Sequence, residues 1–240
     1  MQRKLAVAGV SVLLLAGVAL ADGIDFEPTF TPADLAEMSD ALGDSISFPL
    51  LGQASASGLA GFELLAVAGG PRVDTGDNWW QSGVDGSAPG GILTGYGAVA
   101  RKGLPGGFDI GVQGGRVLDE RFWGAEVRWA FLRGGAVEPG ACLRLVYSRF
   151  ENAPIDLEVK EVQLAVSKGL TVVTPFVAVG YRQVESAAWF GEPELVLHEY
   201  DDSRVTGEAG VRFNLTPFRF LAALRQGAAL SYFVGFGVGL

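Results

Sequence analysis

Apolar and polar residues alternate with a period of two along most of the chain after residue 58. In the stretch Phe122–Leu132, one face carries Trp123, Ala125, Val127, Trp129 and Phe131, and the other carries Gly124, Glu126, Arg128 and Ala130. The stretches Val205–Asn214 and Leu230–Leu240 repeat this pattern. Because successive side chains of a strand point to opposite faces, the alternation predicts β-strands with one apolar face and one small or polar face.

The number of such stretches predicts a barrel of about ten strands, within a range of 8–12 strands. They are residues 59–69, 92–101, 107–117, 122–132, 139–150, 157–168, 174–188, 203–214, 217–226 and 229–240. Most span about 10–12 residues, which is the length that a tilted strand needs to cross a bilayer. The two longest connections, 70–91 and 189–202, fall at the same end of the strands. The sequence therefore predicts an all-β fold, a closed antiparallel transmembrane β-barrel over residues 59–240.

A helical pattern precedes the strands. Thr31 and Pro32 suit the N-cap and first turn of a helix, and Leu35, Met38 and Leu42 follow on one face. This predicts a short amphipathic helix over 31–43, which lies either in the barrel lumen or on the periplasmic face of the membrane. Residues 44–58 are rich in Ser, Gly and Ala, and are predicted to be a connector.

The first 21 residues have the three zones of a cleavable signal peptide. Arg3 and Lys4 are basic, Val7–Leu20 is almost entirely apolar, and Ala19-Leu20-Ala21 matches a signal peptidase site. We expect export with cleavage after Ala21. The predicted divisions are a signal peptide over 1–21, an N-terminal segment over 22–58 and a barrel over 59–240.

Charge and composition narrow the function classes. The chain has 18 Lys and Arg against 27 Asp and Glu, and cleavage after Ala21 would remove two basic residues, Arg3 and Lys4, and no acidic one. Such an acidic chain is a poor binder of nucleic acid, which needs a basic face. Cys142 is the only cysteine, so no intramolecular disulfide forms, and alternation directs it into the lumen. No phosphate-binding loop, cofactor motif or metal-ligand spacing is present, and none is predicted.

The distribution of side chains between the two faces favours a membrane barrel. The polar face is rich in Gly and carries charges of both signs, which suits a narrow lumen rather than a solvated sheet. The apolar face carries Trp and Tyr near strand ends, where interfacial girdles lie in membrane barrels. The opposite arrangement would belong to a soluble periplasmic lipocalin-like carrier, which stays as an alternative.

The C-terminal strand Tyr232–Leu240 and the overall pattern resemble small porin-like outer-membrane β-barrel proteins of Gram-negative bacteria. The segments Val166–Gly169 and Thr174–Tyr181 are similar to an uncharacterised proteobacterial family of such proteins. The resemblance implies a place in the cell outer membrane, contact with its lipid and recognition by the outer-membrane assembly machinery. The residues of the implied assembly signal are Tyr232, Gly235, Phe236, Val238 and Leu240, where Leu240 replaces the usual aromatic residue.

Charged residues on the predicted inner face are the main candidate functional feature. They are Asp109, Glu126, Arg128, Arg144, Arg182, Glu208 and Arg212. In a small barrel, mixed charges either form an ion-paired network that closes the lumen or line a narrow pore for small solutes. The leading prediction is a non-enzymatic outer-membrane protein, structural or porin-like.

A hydrolase is the second class of function. His198 is the only histidine and is predicted to lie in the outer loop 189–202, with Ser203 nearby. Histidine paired with serine or aspartate is the basis of several hydrolytic mechanisms. A lone histidine among loop carboxylates is more often a solvated residue, so no catalytic residue is assigned.

Overall fold

The computed structural model describes residues 23–85, 87–135, 138–152, 154–190 and 196–239. Ten strands form a closed barrel in which each strand pairs antiparallel with the next and the last pairs with the first. The strands are β1 (Phe62–Pro71), β2 (Gly95–Gly103), β3 (Phe108–Val117), β4 (Glu120–Arg133), β5 (Gly140–Asn152), β6 (Ile155–Ser167), β7 (Val173–Phe190), β8 (Val196–Leu215), β9 (Phe218–Gln226) and β10 (Leu230–Gly239). The predicted fold class, a closed antiparallel barrel with a short N-terminal helix, is confirmed.

The alternation of the sequence determines which side chains face the lumen. On β4, Trp123, Val127 and Trp129 are exposed on the outside, whereas Glu126 and Arg128 are buried inside. The same two-residue period holds across β3 and β5, which pair with β4 on either side; the register with β5 shifts by one residue between Ala130 and Leu132. A closed barrel leaves no unpaired sheet edge along the part where all ten strands overlap.

The two ends of the barrel differ. We call the end that carries the short β8–β9 turn, Leu215–Phe218, the lower end, because β10 also finishes there. The upper end carries the long connection between β1 and β2 and the tips of β7 and β8. Strands β7 and β8 stay paired as far as Phe190 and Val196, so the predicted loop 189–202 is largely strand. Residues 191–195 lie outside the described ranges.

Helix α1 (Pro32–Ile46) lies inside the lumen. Its N-terminus has a capping box, in which Thr31 accepts from the Asp34 backbone and Asp34 accepts from the Thr31 backbone at 2.8 Å. The helix continues three residues beyond the predicted end at Gly43. Those added residues are fully buried against the barrel wall, and this packing maintains the helix past a residue that often ends one.

Residues 47–57 continue from α1 through the lumen and reach the lower end, where β1 begins. They are no peripheral connector: Phe48, Leu50 and Leu51 are fully buried, and Phe48 packs edge-on against Phe122 of β4 with 5.3 Å between ring centroids. We call residues 31–57 the plug, since they occupy the inside of the barrel from top to bottom.

The chain before the plug lies at the upper end, opposite the end where β10 finishes. Gly23 and Ile24 pair with Asp85 and Val84 of the long β1–β2 connection. The same connection contains a short helix, α2 (Asn78–Gly83), whose Trp79 and Trp80 are buried over the mouth. Across the described ranges, no helix is both long enough and apolar enough to cross a membrane.

Candidate functional site

The lumen-facing charges form the most distinctive site of the molecule. The seven residues named from the sequence are all buried: Asp109, Glu126, Arg128, Arg144, Arg182, Glu208 and Arg212. Burial of so many charges is costly unless each finds a partner of opposite sign or several hydrogen bonds. The contacts of these side chains therefore decide whether the lumen is closed by an ion-paired network or lined as a pore.

One network runs around the wall in the lower half of the lumen. Glu126 accepts from Arg144 at 2.6 Å and also from Arg101. Arg101 in turn donates to Glu63 at 2.8 Å, and Glu63 also pairs with Arg212. The result is a continuous ion-paired chain across β8, β1, β2, β4 and β5. A separate pair, Arg128 with Asp109 at 2.7 Å, lies beside it.

A second network connects the plug to the wall higher in the lumen. Asp44 of α1 pairs with Arg182, and both side chains are completely buried. The other oxygen of Asp44 accepts from the backbone of Ala228 at 2.9 Å and of Ala229 at 3.2 Å. This carboxylate therefore binds the helix to β7 and to the β9–β10 turn at once.

Glu161 of β6 has a similar position just below. It pairs with Arg225 of β9 and accepts from Thr206 at 2.7 Å and from Ser47 of the plug at 2.9 Å. Gln163 donates to the same carboxylate at 3.1 Å. A carboxylate with this many donors is held in one orientation.

The backbone of residues 47–57 supplies further partners for charged and polar side chains of the wall. Arginines donate to its carbonyl groups: Arg144 to Phe48 at 3.2 Å, Arg101 to Leu50 at 3.4 Å, Arg212 to Leu51 at 3.3 Å and Arg128 to Gln53 at 3.1 Å. Its amide groups donate to acceptors: Leu50 to Glu208 at 2.8 Å, Ala54 to Ser167 at 2.7 Å and Ser57 to Asp109 at 3.1 Å. An extended chain cannot satisfy its own backbone groups, so the wall charges do this for it.

Five members of these networks were not singled out from the sequence: Asp44, Glu63, Arg101, Glu161 and Arg225. Four of them lie on predicted strands, at positions whose side chains alternation directs inward. The same alternation that identified the other seven residues could therefore have identified these four. Asp44 carries no such signal, because its role depends on the placement of α1 in the lumen. With the seven predicted residues they make six arginines and six carboxylates buried in the described lumen.

The upper mouth holds a smaller polar cluster. Arg204 of β8 donates to Asp40 of α1 at 2.6 Å and pairs with Asp202 on its own strand. Burial, together with the carboxylates of Asp40 and Asp202, raises the pKa of Tyr200 to about 12. The hydrogen bond from Arg204 lowers the pKa of Asp202. Helix α1 is thus held at its top as well as along its length.

A small polar cavity of about 40 Å³ remains at the lower end. It is lined by Gln53, Ser57, Phe62, Glu63, Arg128, Arg212, Arg219 and Gly239. The volume is enough for a few waters, which need polar partners of this kind. It is far smaller than the channel of a porin.

His198 does not form a hydrolytic site with Ser203. It lies in strand β8 rather than in a loop, and its ring stacks on Phe190 with 4.2 Å between centroids. His198 and Ser203 are an odd number of residues apart on one strand, so their side chains project from opposite faces. In the described ranges no group of three or more His, Cys, Asp or Glu is placed to hold a metal ion.

The residues of the implied assembly signal lie on β10. Tyr232 and Val238 project outward and are each 39% exposed, and Phe236 stacks on Phe218 with 6.0 Å between ring centroids. Gly235 lies on the intervening inner face. Leu240 lies outside the described residues.

No protein-family model and no curated protein matches the sequence. Among solved structures, this chain is similar to the N-terminal β-barrel domain of Pseudomonas aeruginosa OprF, with 12% identity and a TM-score of 0.40 over 76% of this chain and 97% of that chain. It is similar to Ail, the attachment invasion locus protein of Yersinia pestis solved with the heparin analogue sucrose octasulfate, with 10% identity and a TM-score of 0.37 over 75% of this chain and 98% of that chain. Neisserial surface protein A has 12% identity and a TM-score of 0.28, over 74% of this chain and 92% of that chain.

Proposed function

We propose that this chain is an outer-membrane β-barrel protein whose lumen is closed by its own N-terminal plug, so that its role is structural or at the cell surface rather than conductive. The observation that carries the proposal is the reversed polarity of the barrel. Large apolar side chains are exposed around the outside, while arginines and carboxylates are buried inside. A soluble carrier barrel has the opposite arrangement.

The exposed apolar side chains form a belt of limited height. On β4 it runs from Trp123 to Phe131, a rise of about 26 Å along the strand and about 20 Å after the usual tilt. Its upper margin is level on neighbouring strands. Outward positions change from Tyr147 to Arg149 on β5, from Val162 to Lys160 on β6 and from Tyr181 to Gln183 on β7. Such a margin fits the boundary between lipid tails and headgroups.

Aromatic residues concentrate at both margins of the belt, as expected for interfacial girdles. At the upper margin Trp123 and Tyr147 pack together with 5.5 Å between ring centroids. At the lower margin Phe108 stacks on Trp129 at 6.2 Å and Trp129 packs on Phe131 at 5.9 Å. The long β1–β2 connection and the tall β7–β8 hairpin lie at the upper end, which we therefore place outside the cell.

A substitution in the middle of the belt tests the membrane placement. Val127 is 44% exposed and central on β4, so Val127→Arg would put a charge near the bilayer midplane. We expect a loss of about 2–4 kcal/mol in the free energy of unfolding in lipid vesicles, measured by denaturant titration. Gln183→Arg, one outward position above the belt, is the matched control and should cost about 0–1 kcal/mol.

Equal effects of the two substitutions, or recovery of the native protein in the soluble fraction after cell lysis, would contradict the membrane placement.

Planar-bilayer recordings test the plug separately. The full chain should produce no conductance steps, because Arg101, Arg128 and Arg144 hold the plug backbone across the lumen. Regular steps from the purified full chain would refute the closed lumen and leave the membrane placement intact.

A further inference from the structure

Strand β8 is paired on only one side over its upper half. It pairs with β7 from Val196 to Phe213, but with β9 only from Gly207 to Leu215. Residues 196–206 therefore form an edge strand that rises above the closed part of the barrel. An exposed strand edge presents unpaired backbone groups that can pair with another chain.

The backbone N–H and C=O groups of alternate residues point to opposite sides of a strand, so one known hydrogen bond determines which residues of β8 present unpaired groups. The Asn214 amide donates to Val172 at 2.7 Å, on the β7 side of the strand. In an antiparallel ladder the direction alternates residue by residue, so even-numbered residues of β8 bond to β7. The Trp189 amide, which donates to Pro154 on the β6 side at 3.1 Å, agrees with this phase.

The odd-numbered residues of the edge consequently direct their N–H and C=O groups away from β7. They are Leu197, Glu199, Asp201, Ser203 and Val205. Within the described part of the chain, no other strand pairs with these backbone groups, and only the Ser203 amide has another polar contact, the Asp202 carboxylate beside it. Five donors and five acceptors in one row are enough for a strand of about nine residues to pair along them.

The side chains of the same residues face outward and are exposed. Leu197 and Val205 are 41% and 70% exposed, and between them lie the carboxylates of Glu199 and Asp201. Neighbouring cations are already engaged, since Lys160 pairs with Glu185 at 2.7 Å and Arg149 pairs with Asp156 at 2.8 Å. Among the described residues, neither Glu199 nor Asp201 has a cationic partner.

We propose that residues 196–206 are a β-augmentation site that binds an extended, basic segment of another protein. The free backbone edge supplies the pairing, and Glu199 and Asp201 select lysine or arginine at alternate positions of the incoming strand. A second copy of this edge would bring carboxylates opposite carboxylates, which like-charge repulsion disfavours. The site goes beyond the proposed function and is tested on protein in detergent, so it does not depend on the membrane placement.

The probe is a fluorescent nine-residue peptide, Val-Thr-Thr-Thr-Lys-Thr-Lys-Thr-Val, and its control replaces both lysines with glutamate. We expect the lysine peptide to bind the full chain in low salt and the glutamate peptide to bind about tenfold more weakly or less. Bound peptide should slow hydrogen exchange at the amides of Glu199, Asp201 and Ser203, and leave Tyr200 and Asp202 unchanged.

Two substitutions separate backbone pairing from charge attraction. Ser203→Pro removes one edge N–H without touching the ladder to β7, and should weaken binding of the lysine peptide about tenfold. Ser203→Ala is the matched control: it keeps that N–H, loses only the 2.6 Å hydrogen bond with Tyr181, and should bind normally. The double variant Glu199→Lys with Asp201→Lys should reverse the preference toward the glutamate peptide.

Each variant should keep the heat-modifiable gel mobility of a folded barrel, which the native chain supplies as reference. Binding that is unaffected by Ser203→Pro, or that protects no edge amide, would show attraction by charge alone and overturn the proposal. Equal binding of both peptides, or no binding of either at millimolar concentration, would overturn it as well.

Discussion

At the scale of single residues, a buried arginine of the lumen can join several partners. Arg144 is completely buried and donates to Glu126 at 2.6 Å, to Gln163 at 2.8 Å and to the Phe48 carbonyl at 3.2 Å. It thereby links β4, β6 and the plug through one planar group, which a lysine could not do with the same geometry. Such a residue stabilises the fold mainly because its partners would be left buried and without hydrogen bonds in its absence.

Truncation of this side chain should therefore be severe. We expect Arg144→Ala to lower the free energy of unfolding by about 3–5 kcal/mol, because Glu126 and Gln163 would lose a buried donor. Denaturant titration of the refolded protein measures the loss. Arg149, five residues further along β5 and therefore on the outer face, also contacts three carboxylates. Because water screens the ion pairs of Arg149, Arg149→Ala should cost much less stability than Arg144→Ala, and a similar cost for both substitutions would contradict this prediction.

At the scale of elements, the plug is a core that the barrel encloses. Leu35, Met38 and Leu42 of α1 are buried against the wall, on the one face that their helical spacing predicted. Residues 47–57, which follow α1, have no regular secondary structure, and they can be buried because the wall offers hydrogen-bond donors and acceptors along their path. Helix and connector are thus held by different forces, the first by apolar packing and the second by hydrogen bonds.

Weaker apolar packing of α1 should allow the plug to open while the barrel stays folded. Leu42→Ala removes a fully buried side chain, and we expect the free energy of opening of α1 to fall by about 2–5 kcal/mol. Hydrogen exchange would show faster exchange at the α1 amides, with ladder amides of β4 and β5 unchanged. Glu37→Ala, on the exposed face of the same helix, should leave exchange as it is. Simultaneous acceleration in plug and barrel would contradict a separable plug.

At the scale of the whole molecule, the path of the plug determines at which end of the barrel residues 23–30 lie. Because it runs from the upper mouth to the lower end, Gly23 and Ile24 lie beside the long upper connection, far from the end of β10. A barrel without a lumenal plug would have both ends of its chain on one side. In the proposed orientation the segment before α1 is therefore displayed outside the cell.

Cysteine labelling tests this topology. The native Cys142 is completely buried, so a new cysteine would be the reactive one. We expect Glu27→Cys, exposed at the upper mouth, to react with a bulky polyethylene-glycol maleimide on intact cells. Leu59→Cys, which replaces a residue 68% exposed at the lower end, should react only after lysis. The reverse pattern of labelling would invert the proposed orientation.

The prediction from sequence was most successful where the signal is local. The two-residue alternation predicted the bounds of β3, β4, β5, β9 and β10 to within a few residues of those observed. It succeeded because side-chain direction along a strand follows from backbone geometry alone. It was wrong for the upper half of β8. His198, Glu199 and Asp201 show no apolar alternation, and they are in strand because β7 provides a pairing partner.

The sequence by itself determined the barrel: strand number, the face of each side chain and the inward direction of residues such as Glu126 and Arg144. Only the tertiary structure decided what fills it. No local pattern distinguishes a helix inside a lumen from one lying on a membrane surface, since both bury one apolar face. The choice depends on long-range partners, Asp44 with Arg182 and the Phe48 carbonyl with Arg144, which come together only when the barrel closes around the plug.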